Sequence, residues 1–268
     1  MELNPATIVK RKFDSTMAID APSRHQGYID LHCHILPGID DGAENLEMAL
    51  EMAQMAVDHG TSAIMATPHI IPGVFNNTLS AIRKRAEAFR IELKKAQINL
   101  TIYSAAEIRL SPEVVTLARK GELPFFNQPD HPREDGKNFV LLELPHQSVP
   151  VGSDNLVSWL VSRDIVPIIA HPERNTAIQA NQDLLRPFMK IGCLVNLTAG
   201  SFLGGFGPTA KKTASDLLQR GWGHILASDA HNLENRTPIL DTAVDAVSHI
   251  VGPQQALSMV TTIPEFLI

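Results

Sequence analysis

Cysteine, aromatic residues, basic charge and long apolar runs are all scarce in this sequence, and each scarcity excludes a class of protein. Cys33 and Cys193 are the only cysteines in 268 residues, too few for a disulfide framework, so a cytoplasmic location is expected. Neither has an arginine six positions later, where Ile39 and Ala199 stand, and this removes the phosphatases that use a cysteine nucleophile. A P-loop and a G-x-S-x-G elbow are absent as well. With 5% aromatic residues and a formal net charge of −6, the chain lacks the basic stripes and stacking platforms of a nucleic-acid surface. No apolar run approaches the roughly 20 residues of a membrane span, so no membrane insertion is expected. Lys10, Arg11 and Lys12 are followed by no apolar stretch, so residues 1–27 are not a secretory signal and read as a flexible tail.

From Tyr28 onward, short runs rich in Ile, Val and Leu alternate with longer helical patterns. Strands are expected at 28–33, 63–66, 100–105, 139–144, 166–170, 194–197 and 224–227. Their continuous rather than alternating apolar character is that of buried parallel strands. Helices are expected over 44–59, with Leu46, Ala49, Leu50, Ala53 and Val57 on one stripe, and around Leu79, Ile82, Ala86, Phe89 and Leu93. Ser111 reads as the N-cap of a further helix with Pro112 at its first position, and another runs over 208–220. Gly60, Gly121 and Gly221 stand where helices end. Seven strand–helix units without a composition break predict one α/β domain over 28–268, built as a distorted seven-stranded (β/α)7 barrel of the TIM-like kind. The segment "NQPDHPREDGKN" reads as a surface loop.

The barrel reading rests on where the polar residues fall. Nearly every expected strand runs into His, Asp or Glu at its C-terminal end, the edge at which β/α barrels build their sites. "DLHCH" places His32 and His34 on one face and Cys33 on the other. The Asp40-Asp41-Gly42 loop follows. Later strands lead to His69 in "TPH", Glu107 in "AAEI", Glu143 in "LLELP", His171 and Arg174 in "AHPER", and Asp229 and His231 in "SDAHN". Apolar strands ending repeatedly in charged groups are costly without a shared partner. A His and carboxylate set without Cys suits manganese, iron or zinc, and holds more ligands than one ion uses. The remaining histidines read blandly: His25 and His131 as tail and loop residues, His59 as a helix-end residue, His224 and His249 as unconnected to a motif, and His146, three residues past Glu143, as a bystander within reach of the rim.

In order and spacing, "DLHCHILPGIDDG", "TPH", "AEI", "LLELP", "AHPERN" and "SDAHN" resemble the PHP (polymerase and histidinol phosphatase) superfamily. Within it the chain is similar to the manganese-dependent tyrosine-protein phosphatases of bacterial capsule and exopolysaccharide operons, the CpsB/CapC/YwqE group. The resemblance implies a barrel of the PHP type and three Mn2+ ions, with iron, zinc or magnesium as other occupants. It implies one ion on His32, His34, Glu107 and Asp229, a second on Glu107, Glu143 and His171, and a third on Asp41, His69 and His231. It makes Arg174, and Arg236 in "HNLENR", the holders of phosphate, and places "AGSFLGGFG" (199–207) near the site. The N-terminal segment of about 27 residues is the main departure.

What the resemblance implies in function is hydrolysis of phosphotyrosine by a metal-bridging hydroxide, with Arg174, Arg236 and Asp229 as catalytic residues. The implied partner is a bacterial tyrosine autokinase that controls polysaccharide synthesis, and a homo-oligomer is left open. Two other readings stand beside it: a PHP phosphoesterase acting on histidinol phosphate or another small ester, and a non-catalytic scaffold in polysaccharide export.

Overall fold

A computed structural model describes residues 25–127 and 135–268. Most of the expected tail and most of the polar loop, His131 included, lie outside the described residues. The strands are β1 (Tyr28–Cys33), β2 (Thr61–Ala66), β3 (His69–Ile70), β4 (Thr101–Ser104), β5 (Glu107–Arg109), β6 (Asn138–Glu143), β7 (Ile165–Ala170), β8 (Leu194–Thr198) and β9 (Ile225–Ala227). All seven expected strands are present within two residues at either end. The additions, β3 and β5, are two and three residues long.

Every ladder is parallel, in two sheets of order β1-β2-β4 and β3-β5-β6-β7-β8-β9. Pro68, which has no N–H to give, interrupts the first sheet after β2. Backbone bonds bridge the gap: Ala105 N donates to Ala66 O at 2.9 Å and Glu107 N to Pro68 O at 3.2 Å. β3 therefore prolongs β2, and β5 prolongs β4, past a shared bend. Counted this way the barrel has seven staves.

No continuous ladder joins β9 to β1. At the C-terminal end the seam is held by Asp229 N to His32 O (2.8 Å) and His34 N to Ala230 O (2.9 Å). At the other end the chain near Met259 and Val260 is wedged in, with Leu226 N donating to Met259 O and Ile29 N to Val260 O. Leu267, which ends the last helix Thr262–Leu267, and Ile268 after it are buried with the interior side chains and close that end.

Two apolar clusters follow from strand alternation. Ala63, Met65, Phe139, Leu141, Val166, Ile168, Leu194 and Ile225 fill the barrel. Ile64, Val140, Leu142, Ile169, Val195 and Leu226 face the helices. β1 departs from strict alternation. Ile29 and Leu31 belong to the interior cluster but Cys33 to the outer one. A register irregularity lies between Asp30 and Cys33, a device that re-aims side chains beside sites; it lets His32 and His34 face inward above Leu31.

The helices match expectation with two corrections. In Leu46–Asp58 the buried stripe is Ala49, Met52, Ala53 and Ala56, while Leu46 is exposed. Small side chains let that helix sit close to the strands, so the larger Leu46 and Leu50 move to its flank. In Glu113–Lys120 the cap is Pro112, and Ser111 makes no side-chain cap; the Ser111 carbonyl instead accepts from Val114 N. Gly60, Gly121 and Gly221 all have positive φ at helix ends, as expected. No described helix is long and apolar enough to cross a membrane.

Candidate metal centre

All nine expected ligands converge at the C-terminal mouth. His32 and Glu143 end β1 and β6, and His34 follows β1 directly. His69 and Glu107 begin β3 and β5, the strands that exist only because their staves resume after the bend. His171, Asp229 and His231 follow β7 and β9. His171 (φ 31°) and Asp229 (φ 51°) lie in the left-handed region, which His and Asp enter more readily than most residues and which often marks a functional turn.

The innermost group is a cage of four atoms. His32 Nε2 lies 3.2 Å from His34 Nε2, 3.3 Å from Glu107 Oε2 and 3.3 Å from Asp229 Oδ1. His34 Nε2 lies 3.4 Å from each of the same two oxygens. Ligands about 2.1 Å from an ion at tetrahedral angles stand about 3.4 Å apart, so the cage has the dimensions of a coordination shell.

Ring orientation supports the same conclusion. Asn196 Oδ1 accepts from His32 Nδ1 (2.8 Å), its amide nitrogen being engaged by the Leu197 carbonyl. Asp40 Oδ2 holds His34 Nδ1 at 2.7 Å. With both Nδ1 atoms engaged outward, both Nε2 atoms turn toward two carboxylate oxygens, the orientation in which they can serve as ligands. His231 repeats the pattern: Nδ1 meets the Asp229 carbonyl at 3.0 Å, leaving Nε2 buried without a hydrogen-bond partner among the described residues. Asp229 Oδ1 and both Glu107 oxygens are likewise buried and without an aligned hydrogen bond. Buried acceptors that converge without donors are what a cation satisfies.

Around the cage, His34, Asp41, His69 and His231 form a second group, and His69, Glu107 and Glu143 a third. His69 serves both, with Nε2 3.5 Å from Asp41 Oδ1 and Nδ1 3.1 Å from Glu107 Oε2. His171 Nε2 meets the other Glu107 oxygen at 2.8 Å. The resemblance set His171 with Glu143 and Glu107; the structure places His69 beside that pair and joins His171 to it through Glu107.

The charges are strongly coupled. Burial opposes ionisation of Glu107 and Asp229, but His32 with His171 in one case, and His32 with Arg174 in the other, hold both carboxyls well below the usual range. Burial likewise opposes a charged His34, yet Asp229, Asp40 and Glu107 together raise its pKa well above that of an ordinary histidine. Burial and the neighbouring His34 push His231 down to about 4, so its Nε2 is a free lone pair at neutral pH. Burial and Glu107 raise Glu143.

Above the cage sit the two expected arginines. Arg174 Nη1 and Arg236 Nη2 both donate to Asp229 Oδ2, the latter at 2.6 Å. Four contributors were not singled out from sequence. Asp40 orients His34, and its neighbour Gly42 touches the end of β1. Asn196 orients His32; a lone amide within the apolar run "LVNL" is its sequence signal. Arg109 Nε binds Glu143 Oε2 at 2.7 Å, and its signal is the two-residue spacing from Glu107. Phe206 lies under Arg174; the resemblance set its segment 199–207 near the site without marking the ring. His146, read as a bystander, lies closer to the site than expected, with Nδ1 3.8 Å from Glu143 Oε1. His25 meets the Tyr103 hydroxyl, His59 pairs with Asp241, His249 lies near Asp245, and His224 accepts from Val195 N; all four are away from the mouth.

Comparison with known proteins agrees with this geometry. The family model described as "Capsular polysaccharide synthesis, CpsB/CapC" matches residues 28–268. Tyrosine-protein phosphatase YwqE of Bacillus subtilis is 37% identical over 208 residues, covering 78% of this chain and 79% of the relative. The putative tyrosine-protein phosphatase CapC of Staphylococcus aureus is 30% identical over the same length. Among solved structures, the metal-dependent tyrosine phosphatases YwqE of B. subtilis and CpsB of Streptococcus pneumoniae give a match with TM-score 0.82 at 35% identity, covering 89% of this chain and 93% of the other. A histidinol phosphate phosphatase of Lactococcus lactis shares the fold, with TM-score 0.53 at 15% identity. By sequence and by structure, the chain belongs to the CpsB/CapC family.

Proposed function

We propose that this chain is a metal-dependent protein-tyrosine phosphatase that uses Mn2+ and acts on the phosphorylated tyrosines of a bacterial autokinase governing capsule or exopolysaccharide synthesis, in the cytoplasm. The observation that carries the proposal is one side chain with two faces: Asp229 gives Oδ1 to the cage and Oδ2 to both Arg174 and Arg236. A cation-binding cage thus adjoins two planar donors suited to phosphoryl oxygens.

The donor set fits divalent ions. His32, His34, Glu107 and Asp229 would hold one; Asp41, His69 and His231 a second; and Glu107, Glu143 and His171, with His69 beside them, a third. When bound, such ions supply Lewis acidity and a water ionised near neutral pH. The rest falls to the chain's own groups. Arg174 and Arg236 grip the phosphoryl oxygens and stabilise charge that grows in the transition state. Asp229 keeps their guanidiniums side by side. The departing phenolate, with a pKa of about 10, is a good leaving group and needs little help from an acid. Neither cysteine takes part: both are fully buried, and burial pushes both thiols up, away from the reactive thiolate.

The test is a substrate panel with Mn2+-loaded protein. A phosphotyrosine peptide is expected to show a higher kcat/KM than the matching phosphoserine peptide and than histidinol phosphate. Preference for histidinol phosphate would overturn the substrate assignment.

A further inference from the structure

The segment 199–207 carries Phe206 to the two arginines. The Arg174 guanidinium carbon lies 4.2 Å from the Phe206 ring centroid, and that of Arg236 lies 5.9 Å from it. Both cations therefore share one aromatic ring and one carboxylate oxygen. Two guanidiniums this close repel each other when water is excluded, and Arg174 is largely buried. The electron-rich face of an arene offsets that repulsion and fixes the plane of a stacked guanidinium.

The loop is built to hold the ring in place. Glu173, fully buried and adjacent to Arg174, accepts from Thr198 N at 3.0 Å and from Ser201 Oγ at 2.7 Å. The turn that bears His171 and Arg174 is thereby latched to the start of the Phe206 loop. Gly205 N and Gly207 N close the far side onto the Gly200 and Gly204 carbonyls. A Cβ on Gly200 would stand 3.1 Å from Phe206 Cε2, so the glycine there leaves room for the ring edge.

We infer that Phe206 is a positioning residue for phosphate: its ring sets Arg174 and Arg236 at the spacing and plane in which both engage one phosphoryl group. The inference rests on the phosphatase reading of the site. Phe206 acts through the arginines and not through the metal cage, from which it is separated by them and Asp229.

The experiment compares F206L and F206Y with the parent protein, all loaded with Mn2+. Five quantities are read: metal content, Tm, inorganic-phosphate affinity by calorimetry, and kcat and KM on a phosphotyrosine peptide. F206L keeps apolar bulk but removes the π face. It is expected to weaken inorganic phosphate and raise KM in step, by about tenfold, with metal content and Tm unchanged. F206Y, which keeps the ring, is expected to restore both affinities. Phosphate affinity and KM within twofold of the parent in F206L would overturn the inference. So would loss of metal or of Tm in F206L, since the residue would then serve the fold. A parent protein that binds phosphate but leaves phosphotyrosine intact would sink the phosphatase reading instead, and the calorimetric comparison would still decide the role of Phe206.

Discussion

Asn196 and Asp40 touch no expected substrate, yet they decide what His32 and His34 present to the cage. Each accepts from an Nδ1 and so commits the opposite nitrogen to coordination. Asn196→Ala or Asp40→Ala frees the ring to rotate or to change tautomer. Either variant is expected to weaken metal affinity by about 10–100-fold, measured by competition with a chromogenic chelator; Asp40→Ala is also expected to lower the Tm of the metal-free protein, because the buried Asp40 carboxylate accepts from His69 N and Gly42 N as well. Unaltered affinity in both variants would mean that the rings are fixed by packing alone. At this scale the nine side chains that converge at the mouth were legible in the sequence because all but Asp41, which stands in a loop, are charged or imidazole groups at or just past the end of an apolar strand, where nothing bland accounts for them. Their orienting partners were not, since a lone Asn or a first Asp in "DDG" has many ordinary uses. Phe206 lay in the segment that the resemblance set near the site, but its role was not legible: aromatic residues beside glycines are common in loops, and only three-dimensional proximity links it to Arg174 and Arg236.

The element scale shows how local geometry aims those residues. The stave formed by β2 and β3 breaks at Pro68 and resumes with His69; the neighbouring stave resumes with Glu107. Strands of two and three residues are too short to leave an apolar run, so the seven staves could be read from sequence while their two bent extensions could not. The irregularity in β1 was hidden for a related reason. H-x-H correctly predicts two inward imidazoles, but strict alternation would put Leu31 on the same face as Cys33, and the structure assigns them to different clusters. The Ala-rich stripe of the helix Leu46–Asp58 shows the limit of hydrophobic periodicity: close approach to the sheet favours small side chains over large ones. After β1 the chain turns back so tightly that a Cβ on Gly42 would lie 2.0 Å from His34 O and 2.5 Å from His34 Cβ. Gly42→Ala is therefore expected to displace the end of β1, lowering Tm with a cost of about 1–3 kcal/mol and reducing bound metal. Tm and metal content equal to the parent's would contradict this account of the turn.

Over the whole molecule, the nine side chains come from β1 and the segment after it, from β3, β5 and β6, and from the turns after β7 and β9, so the site draws together staves on both sides of the one seam that lacks a ladder. The carboxylates of the three groups, Asp41, Glu107, Glu143 and Asp229, are four of the 29 acids that give the chain its net charge of −6. Filling the three groups with divalent ions would leave a cationic pocket at the mouth of an acidic protein, with Arg174 and Arg236 above it, which is the polarity a phosphate dianion requires. Ions that bind the folded chain alone also stabilise it by mass action. Both consequences meet in one measurement: stripping the protein with EDTA, titrating Mn2+ back, and following bound metal, Tm and phosphotyrosine-peptide hydrolysis together. The account predicts that stripped protein is inactive and melts at a lower temperature, and that activity and Tm rise as metal binds. Full hydrolysis by metal-free protein, or full metal loading without hydrolysis, would contradict it.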